Sequence, residues 1–588
     1  MKKIFLTILA AIGLFVVIYP RFYHLGSQPP GLHIDEVSFA ADAKSIAETG
    51  RDTWNMPWPL VFKAFGEWKA PGLTYSMAFW NKILGRMDTT IARLPSAIAG
   101  LSILIIYFYT LRLILPSVSI FIPIISTIIL AFSPWHFDMS RIFYEAFSAL
   151  AFFALAIYFY GKALISKISV DRSLLIGTIF AAISGYFYAS IRYVAIFSVI
   201  GLALLAYKKM NLSVKKSATL FIILLFVGSG WIGDLFSSRG LNRLNYYNQK
   251  AAFGSALEID EKRQFCYLSL NKDSLLTKPC NYLWNKPVEK MINAAKIYTT
   301  YLGTDYLFVK AESEYGFDAN YGAFLLPVLL LFIIGIVSIL TQIFYKSKSE
   351  NNSNYYLLLV LIALFSLLPS AMANNINMRM SLIALYIISI INGVGLASLL
   401  TWLAGKLGKL SIYVFILYLC ALLFFIVQSL AHYFLVFTHS NDLMWTSDAE
   451  AIFSYVKTQS PKYDRIIDTD LHGPLAPYFY DDISTLDVQR GLYSDPDAIG
   501  FVYLIKAGKY ELIHRNPIDL ACEKLGNKDN RKTLVITSKI IELAGIRNFV
   551  AYTWNGVDTM REVYDLDKII AYELDHNSSF KTTCSPKL

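Results

Sequence analysis

Two carboxylates, Asp35 and Glu36, follow the first apolar stretch of the chain and open a segment that ends at Gly50. The segment has the composition of a short helix that begins with an acidic pair and is stopped by glycine. A carboxylate in this position could act as general base for a hydroxyl group, because a neutral hydroxyl is a poor nucleophile. The structural alternative is that Asp35 caps the helix and Glu36 complements the helix dipole.

A second charged pair, Glu67 and Lys69, stands shortly before Pro71, a residue suited to the first turn of a helix. The Lys69 ammonium could hold a phosphate group as a point charge. The alternative is that its long side chain anchors the chain at a membrane interface.

Arginine and acid occur together again in the turn 133–145, where Glu145 follows Arg141 at the start of an apolar run. Two further arginines, Arg192 and Arg379, also stand at the ends of apolar runs. A guanidinium group suits bidentate binding of phosphate, so Arg192 and Arg379 are candidates for a phosphate site. Glu145 could instead be an ordinary acid at a helix start, and interfacial anchoring explains Arg192 slightly better.

Composition indicates the elements that must position these residues. Apolar residues make up 55% of the 588 residues and charged residues only 16%, a balance typical of membrane proteins. The formal net charge is +10, but the lysines and arginines fall mainly in short loops between apolar runs rather than in one stripe. Cations placed in this way set membrane topology, so nucleic acid is excluded as a partner.

Eleven apolar runs predict about eleven transmembrane helices. They are residues 4–20, 91–115, 120–134, 145–161, 174–189, 193–207, 217–232, 321–345, 355–370, 379–403 and 411–437. If Lys2 and Lys3 are cytoplasmic, the loops on their side of the membrane hold most of the loop cations, as the positive-inside rule requires. The external segments are then 21–90, 133–144, 233–320 and the tail after 438.

The predicted architecture is an all-α polytopic membrane domain, 1–437, followed by a small soluble extracytoplasmic α/β domain, 438–588, whose apolar runs are short. In the first external loop, Phe39, Ala43, Ile46 and Ala47 share one face of the helix that begins at the acidic pair. This face predicts a helix that lies in the membrane interface.

The five cysteines provide a separate test of this topology. Cys420 falls inside a span, whereas Cys266 and Cys280 lie in the third external segment and Cys522 and Cys584 in the tail. Both pairs are external, where disulfides persist, so each pair could form a bridge. Four unpaired thiols remain the alternative.

The order of the charged motifs resembles the glycosyltransferase C superfamily. A D-E pair follows the first span, a helix ends in glycine, and E-x-K-x-P stands before the second span. The protein O-mannosyltransferase and aminoarabinose transferase branches look closest. The resemblance implies the polytopic fold of that superfamily; it covers about residues 1–437 and is most specific in the first 150.

The resemblance also implies roles for individual residues in the first external loop. Asp35 takes the place of the catalytic base, and Glu36, the second acid of the pair, is also expected to be catalytic. Lys69 and Glu67 take the places of the second motif, which binds substrate.

The turn that contains Arg141 and Glu145 resembles the second external motif of the superfamily, in which an arginine is followed after three residues by an acid that opens a helix. The usual acid is Asp, so the carboxylate of Glu145 would reach about one methylene further. Arginines in places similar to Arg192 and Arg379 contact the lipid phosphate or its neighbourhood. The resemblance therefore implies that Arg141, Arg192 and Arg379 bind substrate.

The expected activity is transfer of a sugar from a polyprenyl-phosphate donor to a lipid, glycan or protein acceptor on the external face, with inversion. Asp35 would be the base, Glu145 would orient substrate and Lys69 would hold the phosphate. A divalent cation could be shared by Asp35 and Glu145, although no His or Cys ligand set requires it.

Two other functions fit part of the sequence. A transporter or flippase of lipid-linked glycans would use the same external charges to bind head groups, but the spans hold few ionisable residues away from their ends. The other is a receptor or structural role, with the tail as binding module. In that case the loop carboxylates could be substituted without loss of function.

Overall fold

The computed structural model of the chain describes residues 13–584 except 66, 167–168, 211–212, 238–255, 271–277, 312–319, 345–351, 374–375, 441–444, 470–474, 481–482, 497–501, 539–540 and 553–558. Lys2 and Lys3, which the predicted topology uses, therefore lie outside the described residues. Contacts divide the chain into two compact units. The helical unit consists of Met1–Tyr23 and Ser96–Ala431, and the α/β unit consists of His24–Pro95 and His432–Leu588.

Six helices in the described part of the chain are long and apolar enough to cross a membrane. They are Thr89–Ile114, Glu145–Ser166, Ala189–Tyr207, Ser353–Met372, Met378–Leu407 and Leu410–Phe437. A bent pair, Val214–Val227 and Ser229–Leu235, adds a seventh candidate with an angle of 80° at its break. Shorter apolar helices are Gly13–Phe22, Phe121–Ala131 and Val328–Phe344, and Val170–Ser184 is a further helix of 15 residues.

Each of the eleven apolar runs overlaps one of these helices or the bent pair, so a mostly helical polytopic membrane fold is confirmed. The number of spans stays a prediction, because several helices have fewer than the roughly 20 residues that a span needs.

Two glycines allow close approach of the helices Val328–Phe344 and Met378–Leu407. A Cβ atom on Gly395 would lie 1.9 Å from the carbonyl oxygen of Leu331, and one on Gly335 would lie 2.1 Å from that of Ile391. Small residues at such crossings let backbones pack directly, which is a main source of helix association in lipid. Met378–Leu407 is accordingly the most buried of the candidate spans.

The helical unit also contains helices between its candidate spans. They are Pro134–Met139, Ala256–Ser269, Lys278–Leu283 and Lys286–Leu302. The Cys266–Cys280 disulfide joins the second of these to the third. This is the first of the two disulfides considered from sequence.

The α/β unit contains a seven-stranded mixed sheet with strand order β4-β5-β6-β3-β7-β9-β8. The strands are β3 Arg465–Asp468, β4 Leu492–Tyr493, β5 Leu504–Ala507, β6 Tyr510–Leu512, β7 Thr533–Ser538, β8 Phe549–Tyr552 and β9 Thr559–Asp565. Strand β3 pairs in parallel with both β6 and β7, and the other pairs are antiparallel. The central β7 is buried on both faces, which explains its uninterrupted apolar run.

Helices pack around this sheet. They are Ala449–Gln459, Leu475–Phe479, Thr485–Gln489, Pro517–Gly526, Leu566–His576 and Phe580–Cys584. Their core includes Val535, Leu520 and Ile569. The second disulfide considered from sequence, Cys522–Cys584, is also present.

Most of the loop between the first two apolar runs belongs to the same compact unit as the tail. It contributes the helices Ile34–Thr49 and Pro71–Leu84 and a two-stranded antiparallel hairpin, β1 Phe62–Ala64 and β2 Glu67–Lys69. The chain divides near His432, close to the boundary between 437 and 438 that the sequence suggests, whereas residues 24–95 pack with the tail.

The apolar face predicted for the first helix of this loop is largely covered by protein. Phe39, Ala43 and Ile46 are buried, as is every residue from Glu36 to Ile46, whereas Ala47 is half-buried. This face therefore packs against protein rather than lipid, and the position of the helix in the membrane interface stays a prediction.

Candidate functional site

The helix Ile34–Thr49, here called the loop helix, is fixed at both ends by local interactions. His33 is its N-cap: the Asp35 backbone N–H donates to His33 Nδ1 at 3.2 Å, and the His33 N–H donates to Glu36 Oε2 at 3.0 Å. This reciprocal pair forms a capping box. The alternative that Asp35 is the N-cap is therefore wrong, and the predicted stop at Gly50 is confirmed, because that glycine has a φ of 72°.

Glu36 is completely buried and paired with Arg93. Arg93 Nε donates to Glu36 Oε1 at 3.1 Å, and Arg93 Nη2 donates to Oε2 at 3.2 Å. Neither side chain is exposed to solvent. Sequence reasoning missed Arg93, although a guanidinium near the start of an apolar helix needs a partner.

Lys69 is also held within the protein. Its ammonium donates to Ser38 Oγ at 2.8 Å and to Asp42 Oδ2 at 3.2 Å, and lies 4.2 Å from the centre of the Phe39 ring. Asp42 also accepts the Thr53 hydroxyl at 2.7 Å. The hairpin β1–β2 thus brings Lys69 to an aspartate on the loop helix that sequence reasoning did not identify.

A third buried acid of the loop, Asp52, lies beside this pair. Its Oδ1 accepts the backbone N–H groups of Trp54 at 3.0 Å and Met56 at 2.8 Å. Burial raises the pKa of Asp52 to about 6, the neighbouring Asp42 carboxylate adds to the increase, and the Met56 N–H opposes it.

Replacing Asp52 with asparagine is expected to stabilise the protein more at pH 7 than at about pH 4. An unfolded aspartate titrates near pH 3.9. Between that value and about pH 6 the folded Asp52 holds the extra proton, so the parent loses stability as pH rises through this window. The gap between the melting temperatures of Asp52→Asn and the parent should widen over the window, and a gap that stays constant with pH would contradict this assignment.

Asp35 differs from the buried acids of the loop helix. Its side chain is 42% exposed, and its Oδ2 lies 3.7 Å from His33 Nδ1. Glu36 and Asp42 are 0% and 1% exposed and carry cationic partners. At the N-terminal end of the loop helix, the accessible carboxylate is thus that of Asp35.

Glu67 lies in β2 opposite Ala64 of β1. Its backbone position is two residues before Lys69, as the motif requires, but its side chain lies outside the described residues.

In the helical unit, Arg141 is buried against the end of the first helix. Its guanidinium donates to the carbonyl oxygens of Pro20 and, at 2.8 Å, of Tyr23. A second buried arginine, Arg21, donates to Ala131 O and lies 3.2 Å from His136 Nδ1. Both guanidinium groups meet carbonyls at or near helix C-terminal ends, where positive charge is favourable.

Glu145 is the first residue of the helix Glu145–Gly161, as the motif predicts. The preceding residue, Tyr144, donates its backbone N–H to Ser96 Oγ at 3.1 Å. The Arg379 guanidinium lies 5.5 Å from the centre of the Tyr144 ring, so the structure brings Arg379 to the start of this helix.

Arg192 has an acidic partner. Its Nη1 donates to Asp234 Oδ2 at 2.9 Å, and its Nε donates to the Gly185 carbonyl at 3.0 Å. Sequence reasoning missed Asp234, which lies 42 positions further along the chain.

Among the described residues, no group of three or more His, Cys, Asp or Glu side chains could hold a metal ion. Asp35 belongs to the α/β unit and Glu145 to the helical unit.

No protein-family model matches the chain, and no curated protein sequence matches it either. The fold is similar to solved structures of ArnT from Cupriavidus metallidurans. The apo form has a TM-score of 0.50 and the form bound to undecaprenyl phosphate one of 0.51, each at 11% identity over 96% of this chain and 98% of that chain. The oligosaccharyltransferase of Archaeoglobus fulgidus has a TM-score of 0.46 at 12% identity, over 81% of this chain and 61% of that chain.

ArnT is an aminoarabinose transferase with the glycosyltransferase C fold. The resemblance to this superfamily that the sequence motifs indicate is therefore confirmed as a likeness of fold, and it extends over the tail as well as the membrane helices.

Proposed function

We propose that this protein transfers a sugar from a polyprenyl-phosphate donor to a hydroxyl group on a lipid, glycan or protein acceptor. The hydroxyl oxygen bonds to the anomeric carbon, the bond from that carbon to the phosphate oxygen breaks, and the hydroxyl proton passes to Asp35. Polyprenyl phosphate leaves, and the configuration at the anomeric carbon inverts. A single displacement is sufficient because the phosphate is already a good leaving group.

The exposure of Asp35 carries this proposal. A general base must reach the proton that it removes, and the Asp35 side chain is 42% exposed at the first turn of the loop helix, directly before the buried stretch Glu36–Ile46. Its motif position and the ArnT-like fold, solved in one case with undecaprenyl phosphate, support the same reading.

Glu36 is assigned a positioning role. Its two carboxylate oxygens accept the Arg93 guanidinium and the His33 N–H, so it ties the start of the loop helix to the helix Thr89–Ile114. This buried pair supports the geometry of Asp35 without touching substrate.

Lys69 is assigned to the donor phosphate. The Lys69 side chain is 10% exposed, and its ammonium forms an ion pair with the Asp42 carboxylate. The Asp42 carboxylate thus balances the charge of the Lys69 ammonium before the donor phosphate arrives. Glu67, two residues earlier on β2, belongs to the same substrate-binding segment.

In the helical unit, Glu145 and Arg379 are assigned to substrate, because both occur at the start of the helix Glu145–Gly161. The carbonyl partners of Arg141 and the ion pair of Arg192 support positioning roles for these two arginines.

The proposed topology has eleven spans, a cytoplasmic N-terminus and an extracytoplasmic α/β unit. Positive residues in the loops on the N-terminal side support this orientation. Reaction on the external face follows, because both motif regions would lie there.

The test is release of radiolabelled sugar from a panel of polyprenyl-phosphate sugars by the purified protein in lipid vesicles. We expect transfer from at least one donor, with one polyprenyl phosphate formed per sugar transferred. Donor binding without transfer to any hydroxyl acceptor would instead favour the transporter of lipid-linked glycans.

A further inference from the structure

The C-terminal half of the loop helix is attached to the tail through a buried lysine. Lys44 is only 6% exposed, its ammonium donates to the Tyr478 carbonyl at 2.8 Å, and it lies 4.5 Å from the centre of the Tyr478 ring. Tyr478 belongs to the short helix Leu475–Phe479. Burying an ammonium is costly unless it is hydrogen-bonded, so the contact with Tyr478 stabilises this part of the helix.

A second short helix of the tail, Thr485–Gln489, contacts the same end of the loop helix. Gln489 Nε2 donates to Ser45 Oγ at 2.9 Å and to Thr49 Oγ1 at 2.7 Å. The Thr485 hydroxyl donates to the Glu48 carboxylate. The two tail helices are joined to each other, because the hydroxyls of Tyr478 and Thr485 are 3.1 Å apart.

The tail also fixes the chain on either side of the loop helix. Before it, the Thr446 hydroxyl donates to the Leu32 carbonyl at 2.7 Å, next to the N-cap. After it, the Tyr493 hydroxyl donates to the Thr53 carbonyl at 3.0 Å, and the Tyr493 ring stacks on Trp54 with centroids 3.5 Å apart. Attachment at both ends and along the helix leaves it little freedom to tilt or slide.

We infer that the helices Leu475–Phe479 and Thr485–Gln489, through Lys44 and its neighbours, hold the loop helix so that Asp35 is aligned with the acceptor hydroxyl. This inference rests on the proposed function. Lys44 is a positioning residue, since nine residues of helix place it about 14 Å along the axis from Asp35. A base displaced by about 1 Å can lose on the order of 100-fold in rate, so a tilt of the helix acts directly on turnover.

This role separates the tail from acceptor recognition. A tail that binds the acceptor would change the KM for the acceptor when its contacts are altered. A tail that holds the loop helix changes kcat and leaves the KM of the donor almost unchanged, because alignment matters most in the transition state.

The test compares Lys44→Met, Lys44→Arg and Gln489→Leu with the parent in the same vesicles, and Lys462→Met, on the exposed surface of the tail, is the control. Amide hydrogen exchange of residues 34–49 should become at least about tenfold faster in Lys44→Met and Gln489→Leu. The kcat of both should fall by about 10- to 100-fold, with donor KM within about twofold. Lys44→Arg should recover most of the loss, because a guanidinium can donate to the Tyr478 carbonyl and stack on its ring.

Unchanged exchange of residues 34–49 in both loss variants would overturn the inference. It is also overturned if exchange accelerates while kcat stays within twofold of the parent, or if only the acceptor KM changes. If the parent transfers no sugar, the proposed function fails, and the exchange measurement then decides separately whether the tail holds the helix. Gln489→Leu gives this information even if Lys44→Met does not fold, because it removes only the three hydrogen bonds that a half-buried amide donates to Ser45, Thr49 and Arg51.

Discussion

Replacing Asp35 with asparagine is expected to lower kcat for sugar transfer by about 10²- to 10⁴-fold, the range that general-base catalysis supplies. The amide keeps the size of the side chain but cannot accept the hydroxyl proton. The donor KM should change little, because Lys69 rather than Asp35 is assigned to the phosphate. The measurement is turnover of radiolabelled donor in vesicles at matched amounts of folded protein.

Three comparisons separate loss of chemistry from loss of structure. The Asp35 side chain is 42% exposed, so the free energy of unfolding of Asp35→Asn should lie within about 1 kcal/mol of that of the parent, as it does for most surface substitutions. Asp35→Glu retains a base and should keep part of the activity, and Glu450→Gln on the exposed face of the tail should behave as the parent. If Asp35→Asn keeps more than a third of parental kcat, Asp35 is not the base.

The fold could be predicted where the signal is local. Apolar runs mark the membrane helices, because each span must satisfy its own backbone within the lipid. Gly50 marks the end of the loop helix, because a left-handed residue is needed there. Asp35, the exposed carboxylate at the start of that helix, could also be identified from the sequence, since it belongs to a short motif.

The surroundings of the loop helix could not be predicted, because its partners are distant in sequence. Lys44 is 434 positions from Tyr478, and Glu36 is 57 from Arg93. The apolar face of Phe39, Ala43, Ile46 and Ala47 led to the interfacial prediction, because the sequence does not show that protein covers this face. Charged residues that are paired across a fold look the same in one sequence as charged residues in water.

The arginines show the same limit in the helical unit. Residue type suggested phosphate binding for Arg192, because a guanidinium fits phosphate well. The partner in the structure is the Asp234 carboxylate, which offers a guanidinium similar geometry. The sequence predicts that an arginine can bind an anion, and only the fold shows which anion is its partner.

The second large effect is expected from Arg93→Met, which should destabilise the α/β unit by about 3–5 kcal/mol, as removal of one partner from a buried ion pair does. Besides the two bonds to Glu36, Arg93 donates to the carbonyls of Leu25 at 3.1 Å, Pro29 at 2.8 Å and Gly31 at 2.6 Å. Methionine fills most of the volume but leaves a buried carboxylate and three carbonyls without their donor. Chemical denaturation of the purified protein measures the loss of unfolding free energy. Hydrogen exchange of residues 34–49 in the native protein shows whether the loss affects the loop helix.

Arg86→Met is the matched control, because Arg86 lies close in sequence and pairs with Asp88 at the surface, where such a pair contributes only about 0–1 kcal/mol. Combining Glu36→Gln with Arg93→Met removes the uncompensated charge, so the double variant should be more stable than Arg93→Met alone. Equal losses from Arg93→Met and Arg86→Met would show that the pair with Glu36 does not stabilise the start of the loop helix. The carboxylate beside Asp35 would then have to be reconsidered as a group that meets substrate.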